Sequence, residues 1–161
     1  MRRAIYPGTF DPVTKGHIHI AERASQLFDE VIIAVAEDSY KDTLFSVNER
    51  IYMMRESIKH LDNVTVDRFS GLAAEYAKDR NAGALIRGLR AVTDFEYEMQ
   101  LAAMNKHLNK SLETLFLMTA GEYSFLSSSV IKKVAILGGC VKGLVPDVVE
   151  ESLKRKYELK V

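Results

Sequence analysis

Val31-Ile32-Ile33-Ala34-Val35-Ala36 is an unbroken apolar run. Its length suits a strand and falls short of a helix. With no polar alternation it reads as a strand buried on both faces, the mark of a parallel sheet covered by helices. Four shorter runs extend the pattern on either side: Ala4-Ile5-Tyr6, Val64-Thr65-Val66, Ala84-Leu85-Ile86 and Leu115-Phe116-Leu117-Met118.

Helical spacing fills the intervals. After Gly16, residues Ile18, Ala21, Ala24, Leu27 and Phe28 fall on one face. Ser46 with Glu49 three residues on is a capping-box pattern. Residues 72–78 read as helix, and residues 93–108 as a longer one with Phe95, Met99, Ala102 and Ala103 on one side, suited to a core or an interface. Ser127 to Leu137 reads as a helix stopped by Gly138-Gly139, and Pro146-Asp147 opens the last. Strand alternating with helix predicts an α/β fold: a Rossmann-like five-stranded parallel sheet sandwiched by helices, one domain over residues 1–161. Such sheets bind ligands beyond the carboxyl ends of their strands, where the strand order reverses. The loops after strands one, two, four and five therefore carry the chemistry.

Bulk properties narrow the partners. Lysine plus arginine equals aspartate plus glutamate, 22 against 22. A global positive charge for nucleic acid is missing, whereas a local basic site for a small anion is allowed. No run nears the ~20 apolar residues of a membrane span, and the short basic start lacks the apolar stretch of a signal peptide. The lone cysteine, Cys140, can form no intrachain disulfide and reads as a loop or half-buried thiol. A cytoplasmic protein without membrane or nucleic-acid partners is expected.

The loop after the first strand reads Pro7-Gly8-Thr9-Phe10-Asp11-Pro12-Val13-Thr14-Lys15-Gly16-His17. Neither usual glycine-rich phosphate pattern is present. Gly8 lets backbone come close to a ligand, and Gly16 does so at a helix start whose free N–H groups attract an anion. His17, in the first helical turn, is a phosphate donor or a capping histidine. Two arginines around a glycine, in Arg87-Gly88-Leu89-Arg90, can clamp phosphates or form a solvated basic turn. Glu98 can accept from ribose hydroxyls or from an arginine. Ser127-Ser128-Ser129 can cap a helix, bind an anion, or both.

Thr14-x-Gly16-His17 resembles the H-x-G-H signature of the nucleotidyltransferase superfamily, with threonine in the first histidine's place. The longer form from Gly8 to His17 resembles that of the bacterial phosphopantetheine adenylyltransferase family. Arg87-Gly88-Leu89-Arg90 with Asp94-Phe95-Glu96 and Glu98, and Ser127-Ser128-Ser129-x-x-Lys132, resemble its later motifs, so the likeness spans residues 4 to about 134. Lys15 stands where asparagine is more usual, Tyr123 where many relatives carry tryptophan, and Thr119-Ala120-Gly121 where proline is frequent.

The resemblance implies adenylyl transfer from ATP to 4′-phosphopantetheine, giving dephospho-coenzyme A and pyrophosphate by direct in-line attack on the α-phosphate, within coenzyme A biosynthesis. It implies His17, Lys41 and Arg90 as catalytic residues. It puts Thr9, Phe10, His17, Gly88, Leu89, Arg90, Glu98, Tyr123, Ser124, Phe125, Leu126, Ser127, Ser128 and Ser129 around ATP, and Thr9, Lys41, Ala73 and Arg87 around the acceptor. Mg²⁺ comes with ATP, held by phosphates and water rather than by protein ligands. A homohexamer and feedback binding of coenzyme A are further implications. Without the resemblance, Lys41 reads as a solvated loop lysine. A nucleotidyltransferase using nicotinamide mononucleotide or glycerol phosphate, and a sensor that binds nucleotide without turnover, are the rival readings.

Overall fold

The five apolar runs form the five strands of one sheet, β1 (Arg3–Gly8), β2 (Glu30–Ala36), β3 (Val64–Phe69), β4 (Ala84–Leu89) and β5 (Glu113–Met118). This computed structural model describes residues 1–37 and 42–158, apart from the side chains of residues 92 and 93. The strand order is β3-β2-β1-β4-β5 and every pairing is parallel. The chain therefore steps outward one way from β1 through β3 and the other way from β4 to β5. The switch point lies between β1 and β4.

Period-two alternation divides the strands between two cores. Ala4, Tyr6, Val31, Ile33, Val35, Ala84 and Ile86 belong to the larger one. Against it pack α1 (Lys15–Leu27), α2 (Val47–Ser57), α5 (Ser128–Ile136) and α6 (Asp147–Glu158), through residues such as Ala21, Met54, Ile131 and Leu153. Ile5, Ile32, Ala34 and Leu85 point the other way, onto Ala74 and Ala77 of α3 (Ala73–Asp79). The long α4 (Val92–Leu108) lies beside α3 and the β4–β5 edge. The apolar run of β2 is thus buried on both sides, as its composition requires.

The Ser46–Glu49 capping box is formed: the Glu49 amide donates to the Ser46 hydroxyl at 3.2 Å, and the Ser46 amide to the Glu49 carboxylate at 2.7 Å. Two helix faces differ from expectation. In α1, Leu27 is 45 % exposed and Phe28 only half-buried, while Ile20 is buried off the expected stripe. Ile20 is drawn in by Gly88, where an added Cβ would stand 3.2 Å from the isoleucine. In α4 the expected apolar side is not covered by this chain: Phe95 and Met99 are exposed, and so are Leu101, Met104 and Leu108 around the rest of the helix. Apolar residues surround this helix, so they define no single core-facing stripe. Among the described residues, no helix is long and apolar enough to cross a membrane.

Core packing on β2 sets a stability test. Ile33 is fully buried, so Ile33→Ala should lower unfolding free energy by about 2–5 kcal/mol in urea titrations. Leu137, 79 % exposed, should tolerate alanine within about 0.5 kcal/mol.

Candidate active site

The β1 loop turns back sharply at Phe10, whose φ of 52° is in the left-handed region. That turn lays the Phe10 ring over Gly8, where a Cβ would stand 2.8 Å from ring carbon. The glycine is thus required by the phenylalanine as well as bordering the cavity described below. Phe10 is buried, edge-on to Tyr6 with ring centres 5.2 Å apart and edge-on to His17 at 5.0 Å. Its ring is thus taken up by protein contacts, which leaves its backbone to face the cavity.

Thr14 caps α1, and His17 occupies the position that a glutamate fills in the usual capping box. The Thr14 hydroxyl accepts the His17 amide at 3.3 Å, and the His17 Nδ1 accepts the Thr14 amide at 3.0 Å. An Nδ1 that accepts a backbone N–H carries no proton, so the neutral ring bears its hydrogen on Nε2. Burial, then the charges of Arg90 and Arg87, push the His17 pKa down to about 4. The imidazole caps the helix through one nitrogen and leaves the other as a neutral donor.

A second helix start faces this one. Ser127 is the N-cap of α5, accepting the Val130 amide at 3.1 Å. Ser128 donates its hydroxyl to the Pro12 carbonyl at 2.7 Å, latching α5 to the β1 loop. The three hydroxyls are therefore not interchangeable: one caps, one latches, and that of Ser129 lies on the exposed side with the amides of the first turn.

From β4, Arg87 reaches Glu98 with two nitrogens, Nε to Oε2 at 2.7 Å and Nη2 to Oε1 at 2.6 Å, and donates from Nη1 to the Pro7 carbonyl at 3.1 Å. Glu98, 9 % exposed, is thus an arginine holder here. Arg90 donates to the Leu126 carbonyl at 2.9 Å and pairs with Asp94 at 3.3 Å. Burial raises the Tyr6 phenol pKa, against the opposing pull of Arg87.

These elements enclose one cavity of about 390 Å³ at the switch point between β1 and β4. Thr9, Phe10, His17, Arg87, Gly88, Arg90, Glu98, Tyr123, Leu126, Ser127, Ser128 and Ser129 all line it. Leu89, Ser124, Phe125 and Ala73 are not in its wall. Leu89 is buried in the core, Ser124 turns back onto the Gly121 carbonyl, Phe125 is exposed, and Ala73 packs with the α3 core on the other sheet face. Lys41 lies outside the described residues. Tyr6, Asp11 and Lys132 line the cavity without having been singled out for chemistry. Asp11, 4 % exposed, accepts the amides of Leu44 and Phe45 at 2.9 Å and the Lys132 ammonium at 2.9 Å. A carboxylate next to a proline in a loop gives no sign of such distant partners; the signature lysine of α5 was the available clue.

Two helix starts, two arginines and a neutral histidine donor in one cavity are groups that can receive a polyphosphate. Over residues 5–134 the sequence matches the model of the cytidylyltransferase-like family. The chain is 55 % identical over 157 residues to the phosphopantetheine adenylyltransferase of Moorella thermoacetica, covering 98 % of each chain. It is 52 % identical over 158 residues to that of Carboxydothermus hydrogenoformans, covering 98 % of each. To that of Caldanaerobacter subterraneus subsp. tengcongensis it is 54 % identical over 158 residues, covering 98 % of this chain and 99 % of the relative. The chain belongs to the phosphopantetheine adenylyltransferases, within the cytidylyltransferase-like family. It is a nucleotidyltransferase, and the phosphopantetheine adenylyltransferase motifs around His17, Arg87 and Ser128 meet at one site.

The depressed His17 pKa gives a signed test. The unfolded histidine protonates at about pH 6.5 and the folded one at about 4. This group's contribution to stability is therefore complete above about pH 6.5 and is lost as pH falls toward about 4. Ring-carbon NMR shifts of His17 should show the Nε2–H tautomer and a midpoint of about 4. A midpoint at about 6.5 would mean that neither burial nor the arginines act on the ring.

Proposed function

We propose that this enzyme transfers the adenylyl group of ATP to 4′-phosphopantetheine, forming dephospho-coenzyme A and pyrophosphate in coenzyme A biosynthesis. The observation that carries the reading is the meeting of the α1 and α5 starts with His17, Arg87 and Arg90 in one cavity. The names of the relatives give the acceptor.

An oxygen of the acceptor phosphate bonds to the α-phosphorus while the bond from that phosphorus to the bridging β-phosphate oxygen breaks. Pyrophosphate leaves with the electron pair. The nucleophile is already an oxyanion, so no protein base or covalent intermediate is required, and catalysis rests on placement and charge. His17 Nε2–H donates to charge developing at the α-phosphate and hands over no proton. Arg90 and the amides at the α5 start take the nucleotide phosphates, with Gly88 and Tyr123 beside them. Thr9, Lys41 and Arg87 take the acceptor, Arg87 being held in place by Glu98 and the Pro7 carbonyl.

Three carboxylates of the wall, Asp11, Asp94 and Glu98, already hold Lys132, Arg90 and Arg87. Among the described residues, no group of three or more histidine, cysteine, aspartate or glutamate side chains is placed to hold a metal ion. This donor set fits a Mg²⁺ that would be held by ATP's phosphate oxygens and water, where it would offset phosphate charge. Coenzyme A shares the adenylyl and pantetheine parts of the product, so feedback binding in the same cavity is part of the proposal, read as competition with ATP. The exposed apolar residues of α4 support assembly into a homohexamer, to be read by sedimentation.

His17→Ala should lower kcat by about a hundredfold or more, roughly 3 kcal/mol of lost stabilisation, while ATP binding changes little. Turnover within about twofold of the parent would remove the role given to His17. Lys41→Ala should raise KM for 4′-phosphopantetheine; unchanged kinetics would take Lys41 out of the site. Pyrophosphate release should be far faster with 4′-phosphopantetheine than with nicotinamide mononucleotide or glycerol phosphate.

A further inference from the structure

Arg50 is the most deeply buried cationic side chain among the described residues, at 2 % exposure, and it does not line the cavity. A guanidinium taken out of water is normally matched by a carboxylate. The Asp11 carboxylate acts on it only through charge, and its hydrogen bonds go to three backbone carbonyls. Nη1 donates to Thr9 at 2.8 Å and to Ala36 at 2.9 Å, and Nε to Phe45 at 3.1 Å. Thr9 and Phe45 lie outside the ladder, and Ala36 is the last residue of β2.

These carbonyls are informative by their places in the chain. Thr9 follows β1 and lines the cavity. Ala36 and Phe45 bound the connection from β2 toward α2, whose Asp42 and Thr43 also line the cavity. One guanidinium therefore fixes the spacing between the β1 loop and both ends of that connection. Asp11 secures the same connection from the other side, accepting the amides of Leu44 and Phe45. The Phe45 residue is thus held through its N–H by Asp11 and through its carbonyl by Arg50. The nucleotide half of the cavity, from Gly88 to Arg90 and from Tyr123 to Ser129, receives none of the three bonds.

We propose that Arg50 is a positioning residue for the acceptor half of the site, setting Thr9 and residues 42–45 ahead of α2 at the separation that seats 4′-phosphopantetheine. The proposal rests on the acceptor assignment made above. If Arg50 served packing alone, an apolar chain of similar volume would fill its place at little cost, since a buried charge is seldom a net gain in stability. A guanidinium with fixed donor directions does what such a chain cannot: it holds three oxygens at set angles.

The test is steady-state kinetics of the full chain with Mg-ATP and 4′-phosphopantetheine, comparing the parent with Arg50→Lys and Arg50→Gln, alongside thermal unfolding. Lysine keeps the charge and loses the fork. The expected result is a folded Arg50→Lys whose KM for 4′-phosphopantetheine rises by about tenfold. Its KM for ATP should stay within about twofold of the parent. Arg50→Gln should show the same split more strongly. Lowered melting temperature with both KM values within about twofold would make Arg50 merely structural and overturn the proposal, as would equal losses for both substrates. If circular dichroism shows neither variant folded, Asp11→Asn decides the matter with Lys132→Met as the control for the lost ion pair: it loosens the Leu44 and Phe45 amides, and an acceptor KM no higher than in that control overturns the proposal equally. A parent protein that forms no pyrophosphate removes the proposed activity and this role with it; an active parent with indifferent variants removes the role alone.

Discussion

Parallel pairing of β1 with both β2 and β4 is the constraint from which the site follows. Parallel strands must return across a face of the sheet, so each carboxyl end opens into a loop on the same edge. β1 sits in the middle and the chain departs to opposite sides from it, which leaves a gap above the β1–β4 junction. Into that gap run the start of α1 from β1, Arg87 and Arg90 from β4, and the start of α5 after β5. The cavity is a property of topology before it is a property of any side chain. The side chains then set which donors and charges line it.

The charges around the gap are arranged in pairs. Arg87 is matched by Glu98, Arg90 by Asp94, and Lys132 by Asp11. The effect is orientation. A lone arginine at a cavity wall samples many rotamers and loses that freedom when it meets a phosphate. Arg87, forked onto Glu98 and tied to the Pro7 carbonyl, has already lost it. The same logic applies to His17, whose ring is held by the Thr14 amide. Because burial, and after it the two arginines, keeps the ring neutral, its outward nitrogen is a donor whose charge does not vary through the neutral pH range.

Much of this was legible in the sequence where local chemistry has a local cause. The run from Val31 to Ala36 announces its burial because a strand covered on both faces can carry no polar alternation. Ser46 and Glu49 cap α2 with each other's backbone, so their spacing is sufficient. His17 was legible as a donor or a cap, and geometry shows the cap, with its other ring nitrogen left over as a donor. Other features depend on partners far along the chain. Gly8 is required by the left-handed turn at Phe10 as well as by closeness to the cavity. Arg50 carries no mark in the sequence; its hydrogen-bond partners are carbonyl oxygens, which every residue has and no sequence pattern signals. The face of α4 was ambiguous for a different reason: residues such as Phe95 and Leu101 satisfy helical spacing whether they meet this chain's core or another surface.

The serine triplet shows how site and fold become inseparable. Ser127 and Ser128 spend their hydroxyls on the protein, one on the Val130 amide and one on the Pro12 carbonyl. That second bond joins the start of α5 to the loop that ends at the start of α1. Two helix termini, each the positive end of a dipole, would otherwise repel across the gap. The Ser128 latch and the Lys132–Asp11 pair hold them together against that repulsion. Two such termini held side by side are a place where an anion would relieve the same repulsion, so the contacts that fix the fold here also fix the field that the cavity presents.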